Sequence, residues 1–484
     1  MLEKHLARTK ILATLGPSSA TEEQIKRMIR SGVDAFRFNM SHGDNDTRAE
    51  WVRMVKKVRK QMNRPVAIFV DLRGPRIRLG ELPEERRLKA GETVEVINAK
   101  RSPRSGALAI DYPRLLQDVE AGHRILIRDG RAELKVQAIE GKTLVCKVKR
   151  GTALVSHQGV NLPDSAVSAP PLSAKDKADI DFAVEHDADW IALSFVRSAK
   201  DVDTLQRALK RRGSNMPVCA KIEHPNAIDN LDDIIEATDA VMVARGDLAV
   251  EVGHAKVPML QARIAQACLA KATPVIIATQ MLESMINTPQ PTRAEVSDVA
   301  NAVMDAVDAV MLSGETAVGD FPVETCRVMH DIIEQTEAEM FKAHWRLRPN
   351  VERRGRERAG VGMAVANSAV FAAHLAKAKL ILAFTESGRT ARLVASFRAS
   401  RPLICLTARE TAFHRMALIW GVLPGIIREP RTVLELHRLA ADALIEHRWL
   451  RDKDLLVSLA GTFSVAGGTN TMRVIRLQDL RSSV

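Results

Sequence analysis

Cysteine and aromatic residues are both scarce in this chain. Its 484 residues contain five cysteines, and aromatic residues make up only 4% of the composition. The cysteines are odd in number, widely separated and never form a Cys-x-x-Cys pair, which argues against a disulfide framework and against a thiolate metal site. We therefore predict that they are small residues of the core. They are Cys146, Cys219, Cys268, Cys326 and Cys405.

Long apolar runs are also missing. No stretch reaches the roughly 18 consecutive apolar residues that span a bilayer, and the first residues lack the apolar segment of a secretory signal. We therefore expect no membrane association and a cytoplasmic location. Hydrophobic residues make up 46% and charged residues 27% of the chain, as in folded globular proteins. Because a single core rarely grows beyond roughly 250–300 residues, the length predicts two or three domains.

Basic residues outnumber acidic ones, and the net charge is +12. Such a charge suits nucleic acid, small polyanionic substrates or a solvated basic surface, and does not choose among them. The chain has no Cys/His finger and no aromatic RNA-binding motif, so we expect no specific nucleic-acid partner. Its densest basic stretch, from Lys342 to Arg358, lies between two patterned regions and predicts an exposed linker over residues 343–359.

Eight short apolar runs alternate with helical patterns in the first two thirds of the chain. Continuous apolar runs are typical of parallel strands that are buried on both faces. Eight strand-then-helix units predict an α/β protein with a (β/α)8 TIM barrel, whose functional residues lie where the strands end. The predicted strands are Ile11–Leu15, Ala35–Met40, Val66–Val70, Trp190–Leu193, Val218–Ile222, Ala240–Val243, Val275–Ala278 and Ala309–Leu312. The predicted helices are Glu22–Arg30, Thr47–Met62, Ser173–Glu185, Ala199–Arg211, Pro258–Lys271 and Thr292–Asp305.

Residues 72–171 interrupt the barrel after its third strand. Loops of this length without secondary structure are uncommon in compact domains, and short strand patterns divided by Gly, Asp and Pro turns fill this one. We predict a small inserted β-barrel domain that covers the barrel mouth as a lid, so that the barrel comprises residues 1–71 and 172–342. The predicted lid strands are Thr93–Ile97, Ala107–Ile110, Arg124–Ile127, Ala132–Ile139 and Thr143–Arg150.

Helix and strand patterns resume over residues 360–484 and predict a separate C-terminal α/β domain. Its first strand leads into a loop, Thr385–Thr390, that places hydroxyls, backbone amides and an arginine at a helix N-terminus, where a phosphate can bind. An ordinary N-capped helix is the alternative interpretation. The predicted strands are Leu380–Phe384, Leu403–Leu406, Gly425–Ile427 and Leu455–Ser458.

Charged side chains follow two neighbouring barrel strands. Lys221 and Glu223 are two residues apart at a strand end, so their side chains point to the same face. Asp247 follows the next strand. Two carboxylates from adjacent strands are the hard oxygen ligands that Mg²⁺, or Mn²⁺ in its place, prefers. Lys221 beside such an ion would be a point charge facing a developing anion.

Further groups at the predicted mouth suit phosphoryl transfer. This reaction needs positioned cations more than covalent help, because negative charge spreads over the moving phosphoryl group and the leaving oxygen. Arg37 and Arg78 add cations to Lys221, and the hydroxyl of Thr279 could carry or relay a proton. The sequence therefore predicts a metal-dependent phosphoryl-transfer site at the barrel mouth.

A series of motifs follows the order found in a known family. The motifs are Thr9–Pro17, Arg37–Gly43, Asp71–Arg78, Gly159–Pro163, Ala220–Glu223, Arg245–Asp247, Ala278–Glu283 and Met311–Thr316. In this order, and along nearly the whole chain, they resemble pyruvate kinase. The resemblance implies transfer of the phosphoryl group of phosphoenolpyruvate to ADP, giving ATP and pyruvate in the last step of glycolysis. It also implies a homotetramer and an allosteric effector that carries a phosphate.

The resemblance implies a role for each matching residue. Glu223 and Asp247 would hold Mg²⁺, Lys221 would stabilise the phosphoryl and enolate charge, and Arg37 would contact the phosphate. Thr279 would serve protonation of the enolate through water. Further substrate contacts are implied for Ser194, Ala244, Gly246 and Asp247, nucleotide contacts for Pro17, Asn39, His42 and Arg78, and contacts to the phosphate of a sugar phosphate or AMP for Thr385, Ser387, Gly388, Arg389 and Thr390.

One departure from the family pattern concerns a monovalent cation. Many members hold K⁺ in part with residues that match Asn39, Ser41, Asp71 and the carbonyl of Leu72, and have a glutamate where this chain has Arg76. A guanidinium at this position could replace the cation electrostatically. We therefore expect that K⁺ is not required.

Two lid positions depart from the pattern as well. The family commonly has lysine where this chain has Gln158, and an Asp-Asp-Gly turn where this chain has Arg128-Asp129-Gly130. A changed nucleotide affinity or preference would follow if these positions contact ADP.

Two other functions compete with this interpretation. A Mg²⁺-dependent barrel lyase or aldolase acting on pyruvate-type substrates could share the carboxylate site, but would need neither a lid over a nucleotide nor the C-terminal domain. A non-catalytic basic RNA-binding protein is the second alternative, and the intact set of Lys221, Glu223, Asp247 and Thr279 argues against it.

Overall fold

The computed structural model describes residues 7–103, 106–342, 360–461 and 468–482. The predicted linker at residues 343–359 therefore lies outside the described residues. Within the described ranges no helix is both long and apolar enough to cross a membrane. All five cysteines are buried and unpaired, as predicted.

Eight parallel strands close into a barrel in which the first strand pairs with the eighth. The predicted TIM barrel is therefore confirmed. The strands are Lys10–Thr14, Val33–Asn39, Ala67–Asp71, Trp190–Leu193, Val218–Ile222, Ala240–Ala244, Val275–Ala278 and Ala309–Leu312. Four of the eight predicted strands have the observed bounds, and the others differ by one or two residues at one or both ends.

The strands read as continuous apolar runs because both of their faces are buried. Alternate residues point inward and outward: Ile11 and Ala13 pack among the surrounding helices, whereas Leu12 between them belongs to the barrel interior. Val241 and Val243 likewise face outward and Met242 faces inward.

Helices surround the barrel and begin at side chains that cap their first turns. Ser173 and Thr292 each form a reciprocal capping box with the acidic residue three positions later. These two residues, predicted as the first of their helices, are therefore the N-caps instead. The α-helices are Glu22–Arg30, Asn45–Met62, Ala174–Glu185, Ala199–Lys210, Pro225–Asp229, Leu231–Ala237, Arg245–Val252, Val257–Lys271, Arg293–Met304, Gly314–Ala317 and Pro322–Lys342, and the 3₁₀ helices are His254–Lys256 and Glu283–Ile286.

The insertion after the third barrel strand is a β domain with its own buried core. Seven strands form one sheet, and a bridge between Arg78 and Gly159 connects its two ends, so the sheet is barrel-like. In sheet order these strands are Val160–Asn161, Arg124–Ile127, Ala132–Glu140, Thr143–Arg150, Thr93–Asn98, Leu108–Asp111 and Arg78–Leu79. Arg86–Arg87 pairs separately with Ala153–Leu154, and Leu115–Asp118 is a single helical turn.

The C-terminal α/β domain has a five-stranded sheet. Four strands are parallel, and the last one is an antiparallel edge strand that the sequence analysis missed, because most of its residues are exposed and its pattern is polar. In sheet order the strands are Val422–Ile426, Leu403–Thr407, Leu380–Phe384, Leu455–Gly461 and Thr469–Arg476. The helices are Val361–Leu375, Arg389–Ala395, Glu410–Arg415, Met416–Leu418 (3₁₀), Val433–Glu446 and Leu477–Ser482.

The C-terminal domain closes the base of the barrel, opposite the ends at which the strands finish. Ala417 and Leu418 pack into the barrel interior. Trp190 donates its ring N–H to the carbonyl of Arg415 at 3.1 Å. A buried ion pair of 3.0 Å joins Arg398 to Asp308, which precedes the last barrel strand. The described residues of the C-terminal domain therefore block the barrel interior at this end, whereas a site can form at the end where the strands finish.

Candidate active site

A cavity of about 70 Å³ lies at the carboxyl ends of the barrel strands. It contains charged groups from several strands, as expected for the functional face of this fold. Its lining residues are Arg37, Asn39, Ser41, Asp71, Leu72, Arg73, Arg76, Ser194, Lys221, Met242, Ala244, Asp247, Ala278, Thr279 and Met311. Among the lining residues that the sequence analysis did not select, Met242 and Met311 belong to the apolar interior of the barrel.

Lys221 is the buried cation at the centre of this cavity. Its amino group lies 2.9 Å from Glu223 Oε1 and 3.3 Å from Asp71 Oδ1. It also donates a hydrogen bond of 2.8 Å to the hydroxyl of Ser194, which in turn donates to the carbonyl of Leu72. The ammonium group is thus held by three strand ends and has little freedom to move.

A second cation, Arg37, is held by the same network. Its Nε donates to Asp71 Oδ2 at 2.7 Å, and its Nη1 donates to the hydroxyl of Thr14 at 3.1 Å. Asp71 therefore bridges Arg37 and Lys221. The two positive charges are held close to each other, because both side chains project from strands of the barrel.

Burial and charge act in opposite directions on this cluster. Burial disfavours the ammonium of Lys221, but the carboxylates of Asp71 and Glu223 outweigh this effect and raise the pKa of Lys221. Burial would raise the pKa of Asp71, but Lys221 and Arg37 hold it below its usual value. Burial raises the pKa of Glu223, and the nearby charge of Asp247 acts in the same direction. The lysine is thus cationic and Asp71 ionised at neutral pH.

Glu223 and Asp247 form the carboxylate pair that the sequence analysis selected for a metal. Both oxygens of Glu223 are oriented by donors, Oε1 by Lys221 and Oε2 by the backbone N–H of Phe195 at 2.7 Å. Asp247 lines the cavity, and no ion pair or hydrogen bond of its carboxylate is found in the described part of the chain. The described residues contain no cluster of three or more His, Cys, Asp and Glu side chains suited to a metal. The donor set fits an ion such as Mg²⁺, which uses one or two protein carboxylates and takes its other ligands from water and substrate.

Thr279 reaches the cavity from the strand next to Asp247. Its hydroxyl accepts a hydrogen bond of 2.8 Å from the backbone N–H of Gly246. A methyl group on Gly246 would lie 3.4 Å from this hydroxyl, at the close end of ordinary van der Waals contact. The hydroxyl therefore sits directly against the backbone of the Ala244–Asp247 segment.

The residues predicted to contact nucleotide are only partly in this cavity. Asn39 lines it and donates to His42 Nδ1 at 3.3 Å. His42 and Pro17 are exposed. Arg78 lies at the start of the lid, where its guanidinium donates to the carbonyl of His157 at 2.7 Å. These last three residues do not line the cavity and lie outside the cluster around Lys221.

The residues predicted for a monovalent cation do come together. Asn39, Ser41, Asp71, Leu72 and Arg76 all line the cavity. Arg76 is exposed as a whole, and after burial its charge is the largest cause that lowers the pKa of His42, which lies outside the cavity. Asp71 also pairs with Arg37 and Lys221, so a monovalent cation at these donors would share Asp71 with two charged side chains.

The predicted phosphate loop of the C-terminal domain borders a separate cavity of about 540 Å³. Thr385, Ser387, Arg389 and Thr390 line it, and Gly388 adopts a positive φ of 85° that other residues rarely reach. The Thr385 hydroxyl accepts from the N–H of Gly388 at 2.9 Å within the loop. The helix Arg389–Ala395 has Gly388 as its N-cap and shows no capping hydrogen bond from a side chain, so the alternative of an ordinary helix capped by Ser or Thr does not hold. The sequence analysis missed the polar lining residues Arg409, Glu429, Arg431 and Thr469, of which Thr469 begins the edge strand and the other three come from loops.

Comparisons with known proteins agree with this architecture. The family model for the pyruvate kinase barrel domain matches residues 6–326, and that for the pyruvate kinase alpha/beta domain matches residues 363–475. The chain is 39% identical over 474 residues to a pyruvate kinase of Mycobacterium tuberculosis, covering 98% of this chain and 99% of that protein.

A second curated relative and a solved structure give the same result. The chain is 37% identical over 473 residues to a pyruvate kinase of Clostridium acetobutylicum, covering 97% of this chain and 99% of the relative. A crystal structure of a pyruvate kinase from Cryptosporidium parvum superposes with a TM-score of 0.90 at 32% identity, covering 97% of this chain and 96% of that one. The chain therefore belongs to the pyruvate kinase family of phosphotransferases.

Proposed function

We propose that this enzyme transfers the phosphoryl group of phosphoenolpyruvate to ADP at the cavity around Lys221. The observation that carries the proposal is the fixed position of Lys221, whose buried ammonium is held by Asp71, Glu223 and Ser194 at the barrel mouth. A cation held in advance costs no reorganisation when negative charge develops in the transition state.

The two cations have distinct parts in the reaction. Arg37 binds the phosphate of phosphoenolpyruvate, since its guanidinium is oriented by Asp71 and Thr14 and lines the cavity. Lys221 faces the phosphoryl group as it leaves and the enolate oxygen that remains. Neither side chain changes its protonation state in this step.

A divalent cation completes the site. Glu223 and Asp247 would hold Mg²⁺ or Mn²⁺, which when bound neutralises phosphate charge and acts as a Lewis acid. Ser194 supports the same region by hydrogen bonding Lys221.

Thr279 and its neighbours act on the second half of the reaction. The backbone of Ala244 and Gly246 borders the place of the substrate carboxylate. The Thr279 hydroxyl, held by the N–H of Gly246 at 2.8 Å, relays a proton through water to the methylene carbon of the enolate. Protonation at carbon yields pyruvate and draws the transfer forward.

Replacement of Lys221 tests the proposal. We expect Lys221→Met to fold and to be stabilised against heat by Mg²⁺, but to lose about 10²–10³ in kcat, as when one preorganised donor is removed. A lactate-dehydrogenase-coupled assay measures turnover with both phosphoenolpyruvate and ADP, and with each one omitted. Pyruvate release without ADP would support the lyase alternative instead.

A matched control is available at the other end of the barrel. Lys10 is a buried strand lysine at the base, paired with Asp34 at 3.5 Å. Lys10→Met removes a comparable charge far from the cavity, so its kcat should stay near the wild-type value. Near-normal turnover in Lys221→Met would refute the role of Lys221 in phosphoryl transfer.

ADP would enter between the barrel mouth and the lid. Asn39 lines the cavity and Arg78 starts the lid, while Pro17 and His42 are exposed on the neighbouring barrel loops. This arrangement supports nucleotide contacts outside the phosphoryl-transfer cavity. Arg78→Ala should raise the KM for ADP more than the KM for phosphoenolpyruvate.

Activity without K⁺ is the next part of the proposal. Arg76 brings a positive charge to a cavity in which Asp71 already pairs with Arg37 and Lys221. An added monovalent cation would meet net repulsion there. Assays in Na⁺ or Tris buffer with and without KCl should give the same rate, whereas Arg76→Glu should become dependent on K⁺. A large stimulation of the wild type by KCl would refute this part.

Allosteric control is proposed for the cavity at Thr385–Thr390. Its hydroxyls, the N–H groups around Gly388, and the guanidinium groups of Arg389 and Arg431 suit the phosphate of a sugar phosphate or AMP. Titration of each compound should shift the phosphoenolpyruvate saturation curve of the wild type. The shift should be lost in Arg389→Ala and kept in Arg438→Ala, a control on an exposed helix position. If no compound shifts the curve, the loop has only a structural role.

We also propose a homotetramer. The helix Val361–Leu375 exposes 66% of Val361, 58% of Phe371 and 65% of Leu375 on one face, which is unusual for large apolar side chains left to water. Light scattering should give four times the chain mass. Phe371→Glu should lower this mass, and Val155→Glu on the lid should leave it unchanged.

A further inference from the structure

Arg245 lies beside the active-site cavity but does not line it. It follows the strand Ala240–Ala244 and begins the helix Arg245–Val252. Its side chain is buried, although the neighbouring residues Ala244 and Asp247 both face the cavity. A buried guanidinium must satisfy five N–H donors, so its partners indicate what it holds in place.

The guanidinium of Arg245 donates hydrogen bonds to the backbone of the segment that carries Thr279. Nη2 donates to the carbonyl of Thr279 at 2.8 Å and to the carbonyl of Gln280 at 3.2 Å, and Nε approaches the Thr279 carbonyl at 3.3 Å. On its other side, Nη1 forms an ion pair of 2.6 Å with Asp298, on the helix Arg293–Met304. Arg245 therefore joins three consecutive parts of the barrel.

The segment bound by Arg245 has an unusual backbone conformation. Thr279 and Gln280 both adopt positive φ, 71° and 56°. For a β-branched residue such as Thr279 this is a genuine outlier, which persists only where the surroundings hold it. The carbonyls of both residues accept from Arg245, and the Thr279 hydroxyl accepts from the N–H of Gly246. Two adjacent residues thus hold both the backbone and the side chain of Thr279.

We infer that Arg245 is a positioning residue for proton transfer: with Asp298 as its counter-ion, it holds Thr279 and Gln280 in the conformation that presents the Thr279 hydroxyl to the cavity. The inference rests on the proposed role of Thr279 in protonating the enolate. It assigns no contact between Arg245 and substrate.

The contacts explain why the residue is arginine. A planar guanidinium can reach two carbonyls on one side and a carboxylate on the other at the same time, whereas a lysine has one ammonium on a flexible stem. In Arg245→Lys the charge stays, but the Thr279 hydroxyl loses its fixed place. Misplacement of a reacting group by about 1 Å can cost about 10²-fold in rate.

The experiment measures proton transfer separately from the full reaction. Exchange of the methyl protons of pyruvate with D₂O, followed by NMR on the Mg²⁺-loaded enzyme with ATP present, breaks and re-forms the C–H bond that Thr279 is proposed to serve. We expect Arg245→Lys to slow exchange and kcat by about 10²-fold, with little change in either KM. Asp298→Asn should act in the same direction and more weakly, and provides a second variant if Arg245→Lys folds poorly.

Two further variants separate positioning from structure. Thr279→Val should slow exchange, and combining it with Arg245→Lys should add no further loss, because both act on one hydroxyl. Arg59→Lys is the matched control: Arg59 is a buried arginine that bonds Asp189 at 2.7 Å and a backbone carbonyl at 2.9 Å, at the base of the barrel. It should lower the melting temperature without slowing exchange.

The outcomes distinguish this inference from the proposed mechanism. Normal exchange in Thr279→Val would overturn both the role of Thr279 and the inference. Slow exchange in Thr279→Val with a normal rate in Arg245→Lys and Asp298→Asn would overturn the inference alone. Fully additive losses in the double variant would show that Arg245 acts elsewhere, which also overturns it.

Discussion

Replacement of Glu251 by glutamine should remove a pH dependence from the stability of the enzyme. Glu251 lies on the helix Arg245–Val252, four residues after Asp247, and is only 3% exposed. Its Oε1 accepts a hydrogen bond of 2.7 Å from the side chain of Asn161, which belongs to the lid, whereas its buried Oε2 has no hydrogen-bond partner in the described part of the protein. The residue therefore joins the lid to the barrel through a poorly solvated carboxyl group.

Burial is the main cause that raises the pKa of Glu251, from 4.5 to about 7. Between pH 4.5 and about pH 7 the folded protein keeps a proton on Glu251 that the unfolded chain releases. The stability supplied by this proton is therefore fully present below pH 4.5 and is lost as the pH rises through 7. At about 1.4 kcal/mol for each pKa unit, the difference corresponds to about 3 kcal/mol.

Thermal unfolding at pH 5 and at pH 8 measures this effect. Glutamine keeps the acceptor for Asn161 and cannot ionise, so the melting temperature of Glu251→Gln should fall less than that of the wild type between the two pH values. The exposed lid residue Glu84, replaced by glutamine, is the control and should follow the wild type. Equal falls in the wild type and in Glu251→Gln would refute the reasoning, because burial of Glu251 would then carry no proton linkage.

Three further predictions concern packing, the cavity and the nucleotide. Leu418→Ala should lower the free energy of unfolding in urea by about 2–5 kcal/mol, because this 2% exposed side chain fills the barrel base, whereas Ile139→Ala at a 42% exposed site should cost much less. Gly246→Ala should reduce kcat without changing the fold, because the added methyl group would contact the Thr279 hydroxyl at 3.4 Å and occupy space beside the proposed place of the substrate carboxylate; unchanged kcat would contradict this role of Gly246. Gln158→Lys should change the ratio of ADP to GDP kinetics if this lid position contacts the nucleotide, and an unchanged ratio would exclude it.

Local patterns in the sequence were sufficient for most of the architecture. The barrel strands could be predicted because burial of both faces requires an apolar residue at nearly every position, and a run of four to seven residues is long enough to show this pattern. The edge strand Thr469–Arg476 was missed because one of its faces meets solvent and its pairing partner lies elsewhere in the chain. The helix starts at Ser173 and Thr292 were placed one residue early because a capping side chain belongs to the motif but not to the helix.

The functional site likewise contains some residues that the sequence predicts and others that only the structure reveals. Lys221 and Glu223 were found from their spacing on one strand, and the structure places their charged groups 2.9 Å apart. The cavity at Thr385–Thr390 was found only in part, since Arg409, Arg431 and Thr469 come from other parts of the chain, whose positions depend on how the sheet is ordered.

The sequence by itself determined the barrel, the inserted and C-terminal domains, and the identity of the charged residues at the mouth, because these follow from periodicity and from motifs that are short along the chain. Only the tertiary structure decided that Asp71 bridges Arg37 and Lys221, that Leu418 closes the barrel base, and that Arg245 holds Thr279. Arg245 and Thr279 are 34 residues apart, and their contact exists only because adjacent strands bring their ends to one mouth.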